Sequence, residues 1–118
     1  HITLTKELIV SGSDTPVAVN SHIPFNLGAL VITPAAIDLL TGMGLSPYAY
    51  LNRHHRRDWG NLSEEDRVAN DQALASGEDR IFSSYHLEPE ARDPEKYKLW
   101  IITEWDRSVT TILLPSDY

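Results

Sequence analysis

The sequence predicts an α+β fold in which three short helices precede, and pack on, an antiparallel sheet of three or more strands. Two observations support this class. Signals that start and end helices cluster between residues 33 and 77, and beyond Gly77 the helical spacing gives way to runs of Ile, Val, Thr and aromatic residues. The 118 residues match the usual size of one domain, so we expect residues 1–118 to form a single domain.

The N-terminal residues 1–32 combine short apolar runs with Ser, Gly, Asn and Pro, which is typical of irregular chain and short strands. Residues 33–77 are predicted to be helical. The first helix is predicted over 34–42, because Thr33 is a good N-cap and Pro34 suits the first helical position.

Two further helices follow in this region. The same start signal, Ser followed by Pro at 46–47, begins a helix that we predict over 47–56. The third helix is predicted over 64–76, because Ser63 precedes an acidic first turn and Gly77 is a natural C-cap. Its apolar residues are few, so most of this helix is expected to face water.

The C-terminal residues 78–118 are predicted to form an antiparallel meander. Three segments rich in β-branched and aromatic residues predict its strands: 80–85, 98–104 and 109–114. The connection at 105–108 is short, which favours a hairpin. Thr103 and Thr111 are expected to pair across it.

The charge balance argues against a nucleic acid as the main partner. Ten Lys and Arg face seventeen Asp and Glu, for a net charge of −7. The only basic cluster is at 53–57, whereas a polyanion partner normally requires a broad basic face.

Several kinds of site are excluded by composition. The chain has no cysteine, which rules out disulfides, zinc thiolates, iron–sulfur clusters and cysteine nucleophiles. It also lacks a glycine-rich phosphate loop, a Gly-x-Ser-x-Gly motif and histidines at metal-ligand spacing. We therefore expect no cofactor and no metal. Without a membrane-spanning apolar run or a signal-peptide pattern, the expectation is a soluble cytoplasmic protein with no membrane partner.

Two tracts carry a resemblance to a known family. They are Arg53-His54 with Asp58-Trp59-Gly60, and Trp100-Ile-Ile-Thr-Glu followed by Asp106-Arg107-Ser108-Val-Thr-Thr-Ile-Leu-Leu-Pro115. Together with shorter matches over residues 25–118, they resemble a family of small plasmid- and phage-borne proteins usually labelled plasmid-related. The resemblance implies a mobile-element setting and assigns no activity.

A second resemblance concerns mechanism. The order of helices before an antiparallel sheet, with Asp79-Arg80 and later Asp106-Arg107-Ser108, is similar to the closing sheet of barnase-like and RelE-like ribonucleases. It implies RNA cleavage without a metal, in which imidazoles transfer protons and guanidinium groups hold the phosphate. The candidate catalytic residues are His54, His55, Arg57, Arg80 and Arg107. Barnase itself has a histidine in this hairpin, where the present chain has Arg107.

These candidates also have structural interpretations. Adjacent helical residues point about 100° apart, so His54 and His55 cannot both enter one site easily, and a solvated helix end would explain them as well. Arg107 lies beside Glu104 and Asp106 and can form a local ion pair instead of holding phosphate.

Two functional hypotheses follow. The first is a plasmid or phage accessory protein that binds a host or element-encoded protein through the hairpin, the third helix and its acidic surface. Trp105 is expected to be exposed because its neighbours are charged, and the predicted binding residues are Trp105, Asp106, Ser108 and Tyr85. The alternative is a metal-independent ribonuclease or another phosphate-handling enzyme, with RNA as substrate.

Overall fold

The computed structural model describes residues 2–4 and 25–118, and within them the fold is α+β. The strands are β1 (Ile2–Leu4), β2 (Ala29–Ile32), β3 (Ile81–His86), β4 (Lys98–Thr103) and β5 (Val109–Leu113). The helices are α1 (Pro34–Met43), α2 (Pro47–His55) and α3 (Glu64–Ser76), and short 3₁₀ turns cover Pro94–Tyr97 and Pro115–Asp117. The part of the N-terminal prediction that falls on residues 1 and 5–24 lies outside the described residues.

All three predicted helices are confirmed, and their ends agree with the sequence to within one residue. Each begins at a side chain that accepts a hydrogen bond from a backbone N–H of the first turn: Thr33, Ser46 and Ser63. Gly44 and Gly77 end α1 and α3 in the left-handed conformation that glycine adopts at low cost. Local capping therefore determines at which residues the helices begin and end.

The sheet is mixed, which corrects the prediction of an antiparallel sheet that follows the helices. Its strand order is β1-β2-β5-β4-β3. The meander of β3, β4 and β5 is antiparallel as predicted, but β2 runs parallel to β5 with Ile32 opposite Ile112. Because β2 precedes all three helices, the sheet is completed only when β5 returns beside it. A four-residue apolar run carries too little periodicity to reveal this pairing.

The core lies between the helices and one face of the sheet. Residues on this face alternate along each strand and are buried, as the period of a strand requires. They are Leu30, Ile32, Ile81, Ser83, Tyr85, Leu99, Ile101, Thr103, Thr110 and Ile112. The helices contribute Ala36, Leu40, Leu51, His54 and Ala73. Three of these buried residues, Ser83, Thr103 and Thr110, have short side chains with a hydroxyl group. Their hydroxyl groups make the polar contacts described below.

Strand β3 is an edge of the sheet, but its outward backbone groups are occupied. The Asn70 side chain on α3 acts as a substitute strand: its Nδ2 donates to the Phe82 carbonyl (2.6 Å), and its Oδ1 accepts from the Phe82 N–H (3.0 Å). An amide side chain can satisfy a backbone donor and acceptor at once because it carries both groups. This contact anchors α3 to the sheet and blocks one end of the edge.

The segment 59–61 occupies the other end of the same edge. The Ser84 N–H donates to the Trp59 carbonyl (3.2 Å), and the Asn61 N–H donates to the Ser84 carbonyl (2.6 Å). Gly60 has a φ of +77°, and a Cβ at this position would clash with the Ser84 carbonyl oxygen. The edge is therefore closed against pairing with another strand, which is a common protection against aggregation.

We expect Asn70→Ala to lower the free energy of unfolding by about 1–2 kcal/mol, because two hydrogen bonds to the edge are lost while the helix gains a little propensity. The measurement is chemical denaturation. Asp71→Ala, an exposed change on the same helix, is the control and should stay within about 0.5 kcal/mol of the parent. Equal effects of the two variants would show that Asn70 does not secure the edge.

Candidate functional site

His54, a candidate catalytic residue, is fully buried in the core. Its Nδ1 lies 2.5 Å from the Ser83 hydroxyl oxygen on β3, and its Nε2 lies 2.9 Å from the Thr103 hydroxyl oxygen on β4. Both ring nitrogens are therefore used by the protein itself. In this arrangement no surface of the imidazole is available to a substrate.

The chain of hydrogen bonds continues beyond Thr103. Its hydroxyl oxygen lies 2.7 Å from that of Thr110 on β5, and the Thr110 hydroxyl donates to the Leu27 carbonyl (2.7 Å). The threonine pair thus differs from the predicted one: Thr103 lies opposite Thr110, because Glu104 and Val109 close the hairpin with a backbone hydrogen bond. Thr111 points to the other face of the sheet by the strand alternation.

The direction of these bonds assigns the protons. The Leu27 carbonyl can only accept, so the Thr110 hydroxyl donates to it and accepts from Thr103. Thr103 then accepts from Nε2–H of His54, and Nδ1 accepts from the Ser83 hydroxyl. The imidazole is thereby assigned as the neutral tautomer with its proton on Nε2. Burial, with a smaller effect from His55, lowers the pKa of His54 to about 3.

His55 points to a different part of the fold. It is half-buried, and its Nε2–H donates to the Phe25 carbonyl (3.0 Å). The Phe25 ring contacts both imidazoles edge-on, with centroid distances of 5.5 Å to His54 and 5.4 Å to His55. Burial lowers the pKa of His55. The histidine pair therefore connects the end of α2 to the segment that precedes β2.

The three candidate arginines lie in different parts of the fold. Arg57 is half-buried and adopts a left-handed φ of 67° just after α2. Arg80 is exposed and donates to the Tyr118 hydroxyl (2.6 Å), with its guanidinium carbon 5.7 Å from the centre of that ring. Arg80 and Arg107 bond to a tyrosine hydroxyl and to backbone carbonyls, not to an imidazole. Because His54 is fully buried, the five candidates do not share one exposed phosphate site.

Arg107 instead holds the β4–β5 hairpin in place. Its Nη1 donates to the carbonyls of Asp79 (2.6 Å), Glu104 (3.1 Å) and Trp105 (3.1 Å), and its Nη2 donates to the carbonyl of Ala73 (3.1 Å). The Ala73 carbonyl lies in the last turn of α3 and also accepts the N–H of Gly77, the residue that ends this helix (2.8 Å). One side chain therefore ties the hairpin to α3 and to the loop that follows it.

Further contacts fix the turn itself. The Ser108 N–H donates to the Asp106 carboxylate (3.0 Å), and hydrogen bonds from Ser108 lower the pKa of Asp106. Gly28 packs directly under the Ser108 carbonyl, where a Cβ would clash, and its φ is +67°. Asp106 and Ser108 thus shape the turn that carries Trp105.

Trp105 is 62% exposed at the tip of this turn, as predicted. Among the described residues its ring makes no aromatic contact, whereas Trp59 is buried in the core. Tyr85, the remaining predicted binding residue, is fully buried, and its hydroxyl donates to the Asp58 carbonyl (2.7 Å). Tyr85 consequently offers no surface to a partner in this fold.

A cleft beside the hairpin was missed by the sequence reasoning. It lies between α3 and β3 and has a volume of about 250 Å³. Its lining consists of Asp66, Ala69, Asn70, Gln72, Asp79, Arg80 and Phe82. The first three of these residues are spaced i, i+3 and i+4, which places them on one face of a helix. This spacing is the sequence feature from which one wall of the cleft could have been predicted.

Comparisons with known proteins do not add an assignment. No family model matches the chain, and neither the curated proteins nor the solved structures contain a significant match. Within residues 2–4 and 25–118, no group of three or more His, Asp or Glu is arranged to hold a metal ion. In the same residues, no helix has the length and apolarity needed to span a membrane.

Because His54 is buried, we expect the protein to become less stable as the pH is lowered. The folded chain disfavours the protonated form of His54, whereas the unfolded chain binds that proton below its ordinary pKa of 6.5. The free energy of unfolding should therefore decrease as the pH falls from 6.5 toward 3, with up to about 1.4 kcal/mol per pH unit from this residue. Denaturation over this range, compared with His54→Gln, measures the contribution.

The quantity compared is the change in the free energy of unfolding per pH unit. It can be compared even if His54→Gln is less stable at neutral pH. His54→Gln should have the shallower dependence on pH. Identical slopes would mean that His54 titrates in the folded protein much as it does in the unfolded chain. The ¹⁵N shifts of the ring provide a second measurement, and the neutral Nε2–H tautomer should persist to about pH 4.

Arg107→Gln is expected to loosen the hairpin tip, because glutamine cannot reach four carbonyls at once. Amide hydrogen exchange at residues 104–108 should accelerate by about tenfold or more. Arg80→Gln is the control, since Arg80 donates to a tyrosine hydroxyl and not to the backbone. Unchanged exchange in Arg107→Gln would show that the turn is ordered without its arginine.

Proposed function

We propose that this protein is an accessory protein of a plasmid or phage that acts by binding a protein partner. The contact surface is the tip of the β4–β5 hairpin, and its anchor is Trp105. The observation that carries the proposal is the 62% exposure of this large aromatic side chain on a turn held by four hydrogen bonds from Arg107. The mobile-element setting comes from the family resemblance of the sequence.

The physical argument concerns the energy of an anchor. An exposed tryptophan leaves apolar surface in water, and its burial in a partner can contribute about 2 kcal/mol or more. The turn around it is ordered before binding, so little backbone entropy remains to be lost on association. A rigid backbone and an exposed aromatic ring together are typical of interface hot spots.

The alternative of a ribonuclease has less support. Acid–base catalysis needs an imidazole that reaches the substrate, whereas His54 is buried and His55 bonds to a backbone carbonyl. The guanidinium of Arg107 already donates to four carbonyls. A net charge of −7 also opposes association with RNA.

Trp105→Ala is expected to weaken partner binding by about 30-fold or more, which corresponds to about 2 kcal/mol. The partner is first captured from host lysate with the parent protein and identified by mass spectrometry. Its affinity for parent and variant is then measured by calorimetry with both proteins purified. Thermal stability should change little, since the side chain is mostly exposed.

Tyr48→Ala provides the matched control. Tyr48 is an exposed aromatic residue (42%) in the first turn of α2, away from the hairpin in sequence. Its removal should leave the affinity for the partner unchanged. If both variants bind the partner as the parent does, Trp105 is not the anchor and the hairpin is not the contact surface.

A further inference from the structure

The cleft between α3 and β3 lies next to the Trp105 turn. Nη1 of Arg107 donates both to the Asp79 carbonyl (2.6 Å) and to the Trp105 carbonyl (3.1 Å). Two oxygens bonded to one nitrogen cannot be more than about 6 Å apart. Because Asp79 also lines the cleft, a segment bound at Trp105 would reach the cleft within one or two residues.

The walls of this cleft are apolar and acidic. Ala69 and Phe82 supply apolar surface, and the Phe82 ring is held edge-on against Trp100 at a centroid distance of 5.1 Å. Asp66 and Asp79 are exposed carboxylates on its rim. Within residues 2–4 and 25–118, Arg53 and Asp58 form an ion pair, and no basic side chain lies within 4.0 Å of either rim carboxylate.

The lining of the cleft contains two carboxylates, Asp66 and Asp79, and one guanidinium, Arg80, so its net charge is negative. Arg80 keeps its positive charge, but its guanidinium is held against Tyr118, bonding to the hydroxyl and lying over the ring. Around the turn, Glu78, Glu104 and Asp106 add further negative charge. The guanidinium of Arg107 lies beneath the turn, bonded to carbonyl oxygens rather than to these carboxylates.

We infer that the partner binds through a basic segment, one of whose Lys or Arg side chains enters the α3–β3 cleft. The aliphatic part of that side chain packs on Ala69 and Phe82, and its cationic group lies between the carboxylates of Asp66 and Asp79. A neighbouring residue of the same segment covers Trp105. The inference rests on the proposed function and adds the chemistry of the partner.

Long cationic side chains suit this site for two reasons. They combine an apolar stem with a charged end, which matches a cleft whose walls are apolar and whose rim is acidic. A second cation beside the first can also lie over the Trp105 ring, since indole is the strongest aromatic partner for cations. An acidic segment would be repelled by the net negative charge of the cleft lining and of the turn.

The test is an unbiased selection of random dodecapeptides displayed on phage against the full chain, with counter-selection against Trp105→Ala. Peptides that depend on Trp105 should be enriched in Lys and Arg. Their affinity, measured with synthetic peptides, should fall by about tenfold in Asp66→Asn and in Asp79→Asn, because each change removes one carboxylate charge. Asp71→Asn, on the same helix and outside the cleft lining, should bind as the parent does.

Ala69→Met adds a test that leaves the charge unchanged. Methionine keeps the helix propensity high and fills part of the cleft, so it should also weaken the selected peptides by about tenfold. The folded state of each variant is checked by thermal unfolding. If Asp66→Asn fails to fold, Asp79→Asn and Ala69→Met decide the question.

The outcomes separate this inference from the proposed function. Trp105-dependent peptides that lack basic residues, or whose affinity is unaffected by Asp79→Asn and Ala69→Met, would overturn the basic-segment inference and leave Trp105 as an anchor. If no selected peptide depends on Trp105, both the inference and the proposed function are overturned.

Discussion

The hydrogen-bonded chain from Ser83 through His54, Thr103 and Thr110 to the Leu27 carbonyl is the constraint on which the rest of the structure depends. It joins α2 to three strands and to the segment before β2. Within this set His54, Thr103 and Thr110 each donate one hydrogen bond and accept one, so the loss of one link would leave other polar atoms unsatisfied in the core. Among the described residues, no buried side-chain polar atom lacks a partner. These hydrogen bonds therefore specify one position of α2 over the sheet.

The position of α2 determines how the edge of the sheet is closed. The segment 59–61, which follows α2, pairs with β3, and α3 then places Asn70 on the same edge. The last turn of α3 in turn offers its Ala73 carbonyl to Arg107. A continuous set of contacts thus connects the buried imidazole to the exposed hairpin tip. The backbone turn that carries Trp105 is thus held in place by contacts that extend into the interior.

The same contacts account for three members of the basic cluster at 53–57 without a phosphate ligand. Arg53 forms an ion pair with Asp58 (2.7 Å) and lies over the Tyr85 ring, and hydrogen bonding to Arg53 lowers the pKa of Asp58. His54 and His55 bond to groups inside the fold. Residues that suggest acid–base chemistry in sequence are here used to join a helix to a sheet. The exposed tryptophan and the cleft with an acidic rim lie away from these contacts.

The sequence by itself determined the helix limits, the three strands of the meander and the exposure of Trp105. Those features depend on local signals: caps, glycines, β-branched runs and charged neighbours. Only the tertiary structure decided that β2 lies parallel to β5, that Thr103 faces Thr110, and that His54 and Tyr85 are buried. These features depend on contacts between residues far apart in the chain, where a short apolar run or a single histidine is compatible with several partners. The role of Arg107 belongs to the same class, because its four carbonyl acceptors come from three different parts of the chain and become neighbours only in the folded protein.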